Sequence, residues 1–337
     1  MLRDATLILT QPHDVTADVI FNKMTDDGLP VVRFDTGTFP QRARLTVRWQ
    51  DGVSRAVLDT GDGLVDLDTL RSVWYRRPAE FSFSAGMEDD TVPFARAEAR
   101  QGLSGALLTS GARWMNWPPA ESVAGFKLVQ LQYATRLGLL TPETLVTNEP
   151  DEAREFLDAE NSGQETIYKR LSNQLLYTED GRLTSFQTEK IDAEARKRLE
   201  HVAVTPCLFQ RYVPKAYEIR ATVVGAQVFA ASVQSQDSDA GAVDWRMDTQ
   251  LSWHGYELPA TVERQLRDLV AGLGLLFGAI DLIRRPDGEY VFLEVNPSGQ
   301  WAWFDPEITN AIRDAMIGEL TCARDCADHA VQLAGGT

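Results

Sequence analysis

Cysteine is nearly absent: Cys207, Cys322 and Cys326 are the only three in 337 residues. An odd, low count argues against a disulfide framework and fits reduced thiols. Cys322, Cys326 and His329 fall at i, i+4 and i+7, one helical face. Three soft ligands on one helix rarely close a tetrahedral site without a fourth from elsewhere, so we read a small-residue packing face. Basic residues are also short, with 33 Lys and Arg against 49 Asp and Glu and a formal net charge of −16. That balance argues against a nucleic-acid partner, which needs a basic surface, but leaves room for one nucleotide held by a local basic cluster and a cation. No apolar run approaches transmembrane length, and Met1-Leu2-Arg3-Asp4 enters a strand-like Ala5–Thr10 with no apolar signal region or cleavage site. No membrane partner and cytoplasmic residence are therefore expected. Walker A and Gly-x-Ser-x-Gly sequences are missing too. Gly272, Gly274 and Gly278 miss the dinucleotide fingerprint, because they close a helix instead of opening one.

What is present describes an ordinary globular protein, 44% hydrophobic and 24% charged, long enough for two or three subdomains. Residues 1–115 read as an α/β unit: a strand at Thr6–Leu9, a helix at Val15–Asp27 and a strand at Val31–Phe34. Strand-like Arg44–Trp49, Ser54–Leu58 and Ser72–Pro78 follow, then a helix at Val92–Leu108. Strand, helix, strand at this spacing predicts a parallel sheet. Trp74-Tyr75-Arg76-Arg77-Pro78 allows two readings: an anion or peptide contact at a strand's end, or one ion-paired inward arginine beside one solvated. Pro118-Pro119 marks a boundary, since neither residue fits a helix interior. A helix over 122–137 follows, with Leu128, Leu131, Ala134 and Leu137 as its apolar stripe and Lys127 near its start. Residues 145–207 suggest a smaller α+β subdomain, in which Thr166–Arg170 is a strand carrying Lys169, Glu179–Arg182 is a turn, and Gly163 and Asn173 lie in loops. Cys207–Lys215 is a buried-looking strand. Tyr217–Gly225 is another, with Glu218, Arg220 and Thr222 on one side, pairing with Gln227–Val233. A polar loop with Asp237, Asp239 and Asp244 and an amphipathic helix over Thr261–Phe277 then lead into the most informative stretch.

That stretch, Gly278–Pro297, is a hairpin around Pro286-Asp287-Gly288. A loop over Arg285–Gly288 places Asp281 opposite Phe292, whereas a tighter Asp287-Gly288 turn places it opposite Glu294. Both registers keep Asp281, Glu294 and Asn296 on one face and assign Ile280, Leu282, Val291, Leu293 and Val295 to the core. Three oxygen donors on an otherwise apolar hairpin suit a hard cation such as Mg²⁺, while a solvated face with incidental acids is the other reading.

In order, Lys127, Lys169, Gln210-Arg211-Tyr212-Val213, Glu218-Ile219-Arg220, Asp281 and Glu294-Val295-Asn296-Pro297 resemble the ATP-grasp superfamily over residues 116 to about 320. Trp74–Pro78, Tyr217–Arg220 and above all Glu294-Val295-Asn296-Pro297-Ser298-Gly299-Gln300-Trp301 resemble its microviridin-type (graspetide) peptide macrocyclases. The resemblance implies an α/β (α+β) ATP-grasp fold: a pre-ATP-grasp domain at 1–115, a lid subdomain at 116–207, an ATP/Mg subdomain at 208–325 and a tail. It implies ATP and Mg²⁺, with phosphates on Lys127 and Lys169 and adenine on the backbone of Gln210, Arg211, Tyr212 and Val213. Glu218 joins the nucleotide set, although relatives often carry Asp there. Asp281, Glu294 and Asn296 are the implied metal ligands, and Arg220, Lys169 and Arg284 the implied catalytic set. The implied substrate is a ribosomal precursor peptide, its Asp or Glu side chains joined to Thr, Ser or Lys through an acyl phosphate. Leader binding is expected around Leu175–Gln187, and a homodimer is expected. Another ATP-grasp carboxylate ligase and a non-catalytic binding module are the competing readings.

Overall fold

The computed structural model describes residues 1–159, 164–172, 176–177, 183–184, 188–237, 241, 243–248 and 250–322. Most of the Leu175–Gln187 stretch expected to hold a leader lies outside them, as do Gly163, Asn173, Glu179–Arg182, Asp239, Cys326 and His329. The chain divides into two compact units. One comprises Met1–Ala120, Leu275–Phe277 and the chain from Ser298, and the other comprises Glu121–Gly274 and Gly278–Pro297.

In the first unit, β1 (Thr6–Thr10), β2 (Val31–Phe34), β6 (Ser72–Arg77) and β7 (Arg113–Met115) form a parallel sheet in the order β2-β1-β6-β7. Between β1 and β2 runs α1 (Val15–Asp26), whose start is fixed by Asp14 accepting the Ala17 N–H. A second, antiparallel sheet is built from β3 (Arg44–Gln50), β4 (Val53–Asp59) and β5 (Leu64–Asp66). The helix α2 (Val92–Leu108) contributes Leu103 and Leu107 to the core that Leu7, Phe34 and Leu58 share. The parallel sheet expected from the strand-helix-strand spacing is present, and α2 has the bounds that the sequence predicts.

The Trp74–Pro78 motif resolves into its ion-paired form. Arg76 is buried, with Nε 3.1 Å from Asp14 Oδ2, and its Nη1 donates to the Gly299 carbonyl at 3.2 Å and to that of Ser298. Arg77 is half-buried. The Gly299-Gln300-Trp301 string, whose indole is fully buried, is thus tied to the end of β6. Burial alone would raise the Asp14 carboxyl, but Arg76, the Thr10 hydroxyl and the Ala17 N–H outweigh it and hold the carboxyl below its ordinary value. Its stabilisation is therefore complete above the unfolded carboxylate value of about 4 and is lost as pH falls through the lower folded value. Acid denaturation curves should show this limb in the wild type and a shallower one in Asp14→Asn. Arg76→Ala leaves a buried carboxylate uncompensated and should cost about 3–5 kcal/mol in urea unfolding.

Asn116 performs a second stitch. Its Oδ1 accepts the Leu276 and Phe277 N–H groups at 2.8 and 2.9 Å, and its Nδ2 donates to the Phe277 carbonyl at 2.9 Å. Later in this unit α8 (Pro306–Thr321) presents the Leu320 carbonyl to Ser72 Oγ at 2.7 Å.

The chain passes from the first unit to the second within α3 (Pro118–Ala124), and α4 (Lys127–Arg136) follows, two helices where the sequence predicts one. Pro118 and Pro119 begin α3, the one place in a helix that tolerates proline. The α4 stripe also differs from expectation. Gln130 and Ala134 are the buried residues, while Leu128 is 52% exposed. Next come β8 (Thr144–Thr147), α5 (Pro150–Asp158), β9 (Thr166–Lys169), the short pair β10 (Leu176–Tyr177) and β11 (Leu183–Thr184), β12 (Glu189–Lys190), α6 (Ala193–Arg196) and β13 (Cys207–Arg211). The sheet order β12-β9-β13-β8 puts β13 in the centre, so a boundary at 207/208 falls at that strand's first residue. Leu157, Val202 and Phe209 pack beneath this sheet.

The remaining strands are β14 (Tyr217–Val224), β15 (Gln227–Val233), β16 (His254–Gly255), β17 (Phe277–Arg284) and β18 (Tyr290–Asn296), with α7 (Ala260–Gly272) between β16 and β17. Their order is β16-β15-β14-β17-β18. From α7, Leu266, Leu269 and Val270 are buried. A Cβ on Gly278 would come within 3.0 Å of both Val270 and Val295, so only glycine lets helix and hairpin approach this closely.

The hairpin places Asp281 opposite Glu294 and Ala279 opposite Asn296. This is the pairing expected of the tight turn, reached by another route. The loop spans Arg285–Glu289, and a bulge after Asp281 leaves Leu293 as the extra residue. The bulge also revises the core face. Phe292, fully buried, stands opposite Leu282, whereas Val291 pairs with Ile283 and Leu293 is only half-buried.

Candidate active site

Strand pairing brings two acids together, and neighbouring elements supply their counter-charges. Asp281, 7% exposed, has Oδ1 2.8 Å from Arg220 Nε of β14. Although the two are this close, neither atom makes a hydrogen bond among the described residues. Its Oδ2 accepts from Arg246 Nη2 at 2.8 Å, and the same nitrogen is 3.4 Å from Glu294 Oε1. Glu294 Oε2 pairs with Lys127 Nζ. Burial opposes the Glu294 charge, yet Lys127, Lys169 and Arg246 together hold that carboxyl far below the ordinary range. Conversely, burial pulls the Lys169 ammonium down while Glu294 pulls it back up. Lys169 ends β9 opposite Leu208 of β13, and feels Glu294, Asp281 and Lys127 from there.

Two further side chains position this cluster. Lys127 and Gln130 lie three residues apart, hence on one face of α4. Gln130 Oε1 accepts the Val295 N–H at 3.0 Å and its Nε2 donates to the Val295 carbonyl at 2.9 Å, as a neighbouring strand would. Its carboxamide therefore fixes the residue between Glu294 and Asn296. Gln130→Ala leaves both backbone groups unpaired and should cost about 2–3 kcal/mol in chemical denaturation. On the other side, buried Lys215 donates to Glu218 Oε1 at 2.8 Å and to the Val243 carbonyl at 2.9 Å. Burial raises the Glu218 carboxyl despite that lysine. Glu218 is thus engaged within the protein, one strand position before Ile219 and two before Arg220.

The Gln210–Val213 segment leaves β13 at this end. Its Arg211 N–H bonds the Glu143 carbonyl at 3.0 Å, and its Tyr212 N–H the Glu165 carbonyl at 2.7 Å. Arg211 is buried over the Phe156 ring, donating to Thr166 Oγ1 and the Phe156 carbonyl. Its side chain therefore serves the fold. Tyr212 has Lys190 4.7 Å above its ring, and Gln210 donates to Thr144 Oγ1 at 2.9 Å.

The structure thus brings Lys127, Lys169, Arg220, Asp281 and Glu294 into one charged group, with Asn296 on the same hairpin face. It does not bring Arg284 there. That side chain lies over Tyr290, and alternation along β17 sets it on the face opposite Asp281. Arg246, Lys215 and Gln130 are additions that sequence reading missed. Arg246 stands in an irregular loop, where no periodicity signals orientation, and only the acids of that loop, Asp244 among them, marked the segment out. Among the described residues no group of three or more His, Cys, Asp or Glu could hold a metal ion. The hairpin set is instead two carboxylates and a carboxamide, all hard oxygen donors. With one Asp281 oxygen buried and lacking a hydrogen bond, it fits Mg²⁺ better than a softer ion.

Residues 5–121 match the family model of the MvdD pre-ATP grasp domain. No curated protein matches the chain. The macrocyclase MdnC of Microcystis aeruginosa MRC, solved bound with precursor peptide MdnA, is 30% identical over 94% of this chain and 98% of its own, with a TM-score of 0.83. MdnB from the same organism is 31% identical over 93% and 99%, with a TM-score of 0.73. A RiPP-associated ATP-grasp ligase of Chryseobacterium gregarium, solved with ADP and a leader and core peptide, is 28% identical over 95% and 98%, with a TM-score of 0.86. Matched over more than nine-tenths of its length by these enzymes, the chain belongs to the microviridin-type ATP-grasp macrocyclases, a family of ATP-dependent ligases.

Proposed function

We propose that this ligase crosslinks side chains of a ribosomal precursor peptide, forming esters or amides between Asp or Glu and Thr, Ser or Lys. The observation that carries the reading is the Asp281–Glu294 pair facing Arg220, Lys127 and Lys169. A carboxylate is a poor electrophile, and phosphoryl transfer from ATP converts it into an acyl phosphate with ADP released. A hydroxyl or amine then attacks the acyl carbon, loses its proton, and inorganic phosphate departs. The barrier lies in the negative charge crowded around the transferred group, so catalysis is mostly electrostatic.

Each residue has a role in that scheme. Asp281, Glu294 and Asn296 would hold Mg²⁺, which supplies charge neutralisation at the phosphates when bound. Lys127 and Lys169 meet phosphate oxygens from α4 and β9, and the backbone of Gln210–Val213 takes the adenine edge. Arg220, always charged and fork-shaped, stabilises the acyl phosphate or the tetrahedral species. Residues 116–207 act as a lid over the ATP/Mg subdomain and exclude water from an intermediate that hydrolyses readily. Arg284 contributes at the hairpin's end and not at the reacting atoms. The peptide's leader binds apart from the chemistry and raises the effective concentration of the core, and the resemblance supports a homodimer.

Intact mass of a candidate precursor, a short peptide rich in Thr or Ser and Asp or Glu toward its C-terminus, tests this after incubation with enzyme, ATP and Mg²⁺. Loss of one water per crosslink is expected. ATP consumption with mass gained from a second substrate would overturn the reading.

A further inference from the structure

The loop around Arg246 raises a question that the ligand assignments leave open: all four carboxylate oxygens of Asp281 and Glu294 already face a cation. Arg220 faces Asp281 Oδ1, Lys127 faces Glu294 Oε2, and Arg246 holds Asp281 Oδ2 and Glu294 Oε1. A divalent cation seeking these oxygens must compete with one of the three. Arg220 extends from β14 and is 6% exposed, and Lys127 on α4 is 13% exposed. Arg246, by contrast, is 44% exposed and sits in a single 3₁₀ turn, Trp245–Met247. Its guanidinium rests 4.9 Å from the Trp245 ring, and its Nη1 is held 3.2 Å from Asp244 Oδ1. Leaving the two acids would thus break two outer contacts and still keep the Asp244 and Trp245 ones. The indole also lies 5.7 Å from Arg220, so it forms a platform shared by both guanidinium groups.

Charge fixes the consequence. Lys127, Lys169, Arg220 and Arg246 surround three acids, Asp281, Glu294 and Asp244, which leaves positive charge in excess. A bare divalent cation would add to that excess, and the repulsion at a few ångströms is large even with strong screening. A nucleotide polyphosphate reverses the balance. We propose that Arg246 is a displaceable counter-ion of the metal site: it neutralises Asp281 and Glu294 and yields their oxygens to a divalent cation only when nucleotide phosphates arrive with it. This rests on the assignment of Asp281 and Glu294 as metal ligands. It makes metal and nucleotide uptake mutually dependent, with Arg246 as the residue that couples them.

Mn²⁺ binding followed by electron paramagnetic resonance tests the proposal without turnover. Mn²⁺ alone should bind the wild type weakly, and Mn²⁺ with AMP-PNP much more tightly. In Arg246→Gln, Mn²⁺ alone should bind at least about tenfold more tightly than in the wild type, with a smaller further gain from AMP-PNP. Arg246→Lys keeps the charge and should stay within about threefold of the wild type. Equal tightening in both variants would assign the effect to lost packing on Trp245 and overturn the proposal. Unchanged or weaker Mn²⁺ binding in Arg246→Gln, with the Mn²⁺–AMP-PNP complex intact, would also overturn it while leaving the metal site standing. Absence of that complex in the wild type would remove the metal-site assignment and the proposal with it. Thermal melting of each variant confirms that the compared proteins are folded.

Discussion

Glu294→Gln is expected to lower turnover by about a thousandfold or more while the fold survives. The substitution keeps the shape of the side chain and removes the charge that faces Lys127, Lys169 and Arg246. A carboxamide is a weaker ligand for Mg²⁺ and leaves three cations without their acid. The backbone around it is independent of that charge, because Asp281 pairs through the strand ladder and Gln130 holds Val295 from α4. ADP release coupled to a chromogenic reaction gives the rate, and circular dichroism gives the fold. Because Glu294 stays ionised well below neutral pH, any loss of activity in mild acid must come from another group.

Arg220→Lys is expected to reduce turnover by about a hundred- to a thousandfold, the size of effect seen when one preorganised donor is removed from a charged transition state. Lysine keeps the charge, so Asp281 is not left bare, but it lacks the planar fork and the reach of the guanidinium. The observable signature is a fall in kcat with little change in the affinity for AMP-PNP measured by calorimetry. A matching loss of nucleotide affinity would place Arg220 on the phosphates of the ground state. Stability should fall less than in Arg220→Ala, where a buried carboxylate loses its partner.

Strands and helices were legible where periodicity and punctuation agree. Thr6–Thr10, Val31–Phe34 and the Val92–Leu108 helix follow directly from apolar patterning and flanking breakers. The Asp281–Glu294 pairing was within reach because side chains alternate, but the bulge at Leu293 was not, since nothing local announces one extra residue. Neither was the buried face of α4. Leu128 looked like core by spacing, yet the face turned inward carries Gln130, because a carboxamide can pair with the Val295 backbone and leucine cannot. Arg76 shows the same limit. Trp-Tyr-Arg-Arg-Pro signalled that one arginine was special, and only the fold showed it bonded to Asp14 and to the Ser298 and Gly299 carbonyls. Arg246 was the least legible. It is a loop residue whose role depends on three elements distant in sequence: β14, β17 and β18.

The most direct test of carboxylate activation follows oxygen. A precursor peptide whose Asp and Glu side chains carry ¹⁸O is incubated with the enzyme, ATP and Mg²⁺, and the inorganic phosphate is analysed by mass spectrometry. If a side-chain carboxylate takes the phosphoryl group, each crosslink must pass one ¹⁸O atom to phosphate as it leaves. Crosslinked peptide accompanied by unlabelled phosphate would contradict the account, because the carboxylate would then have been activated by some other route.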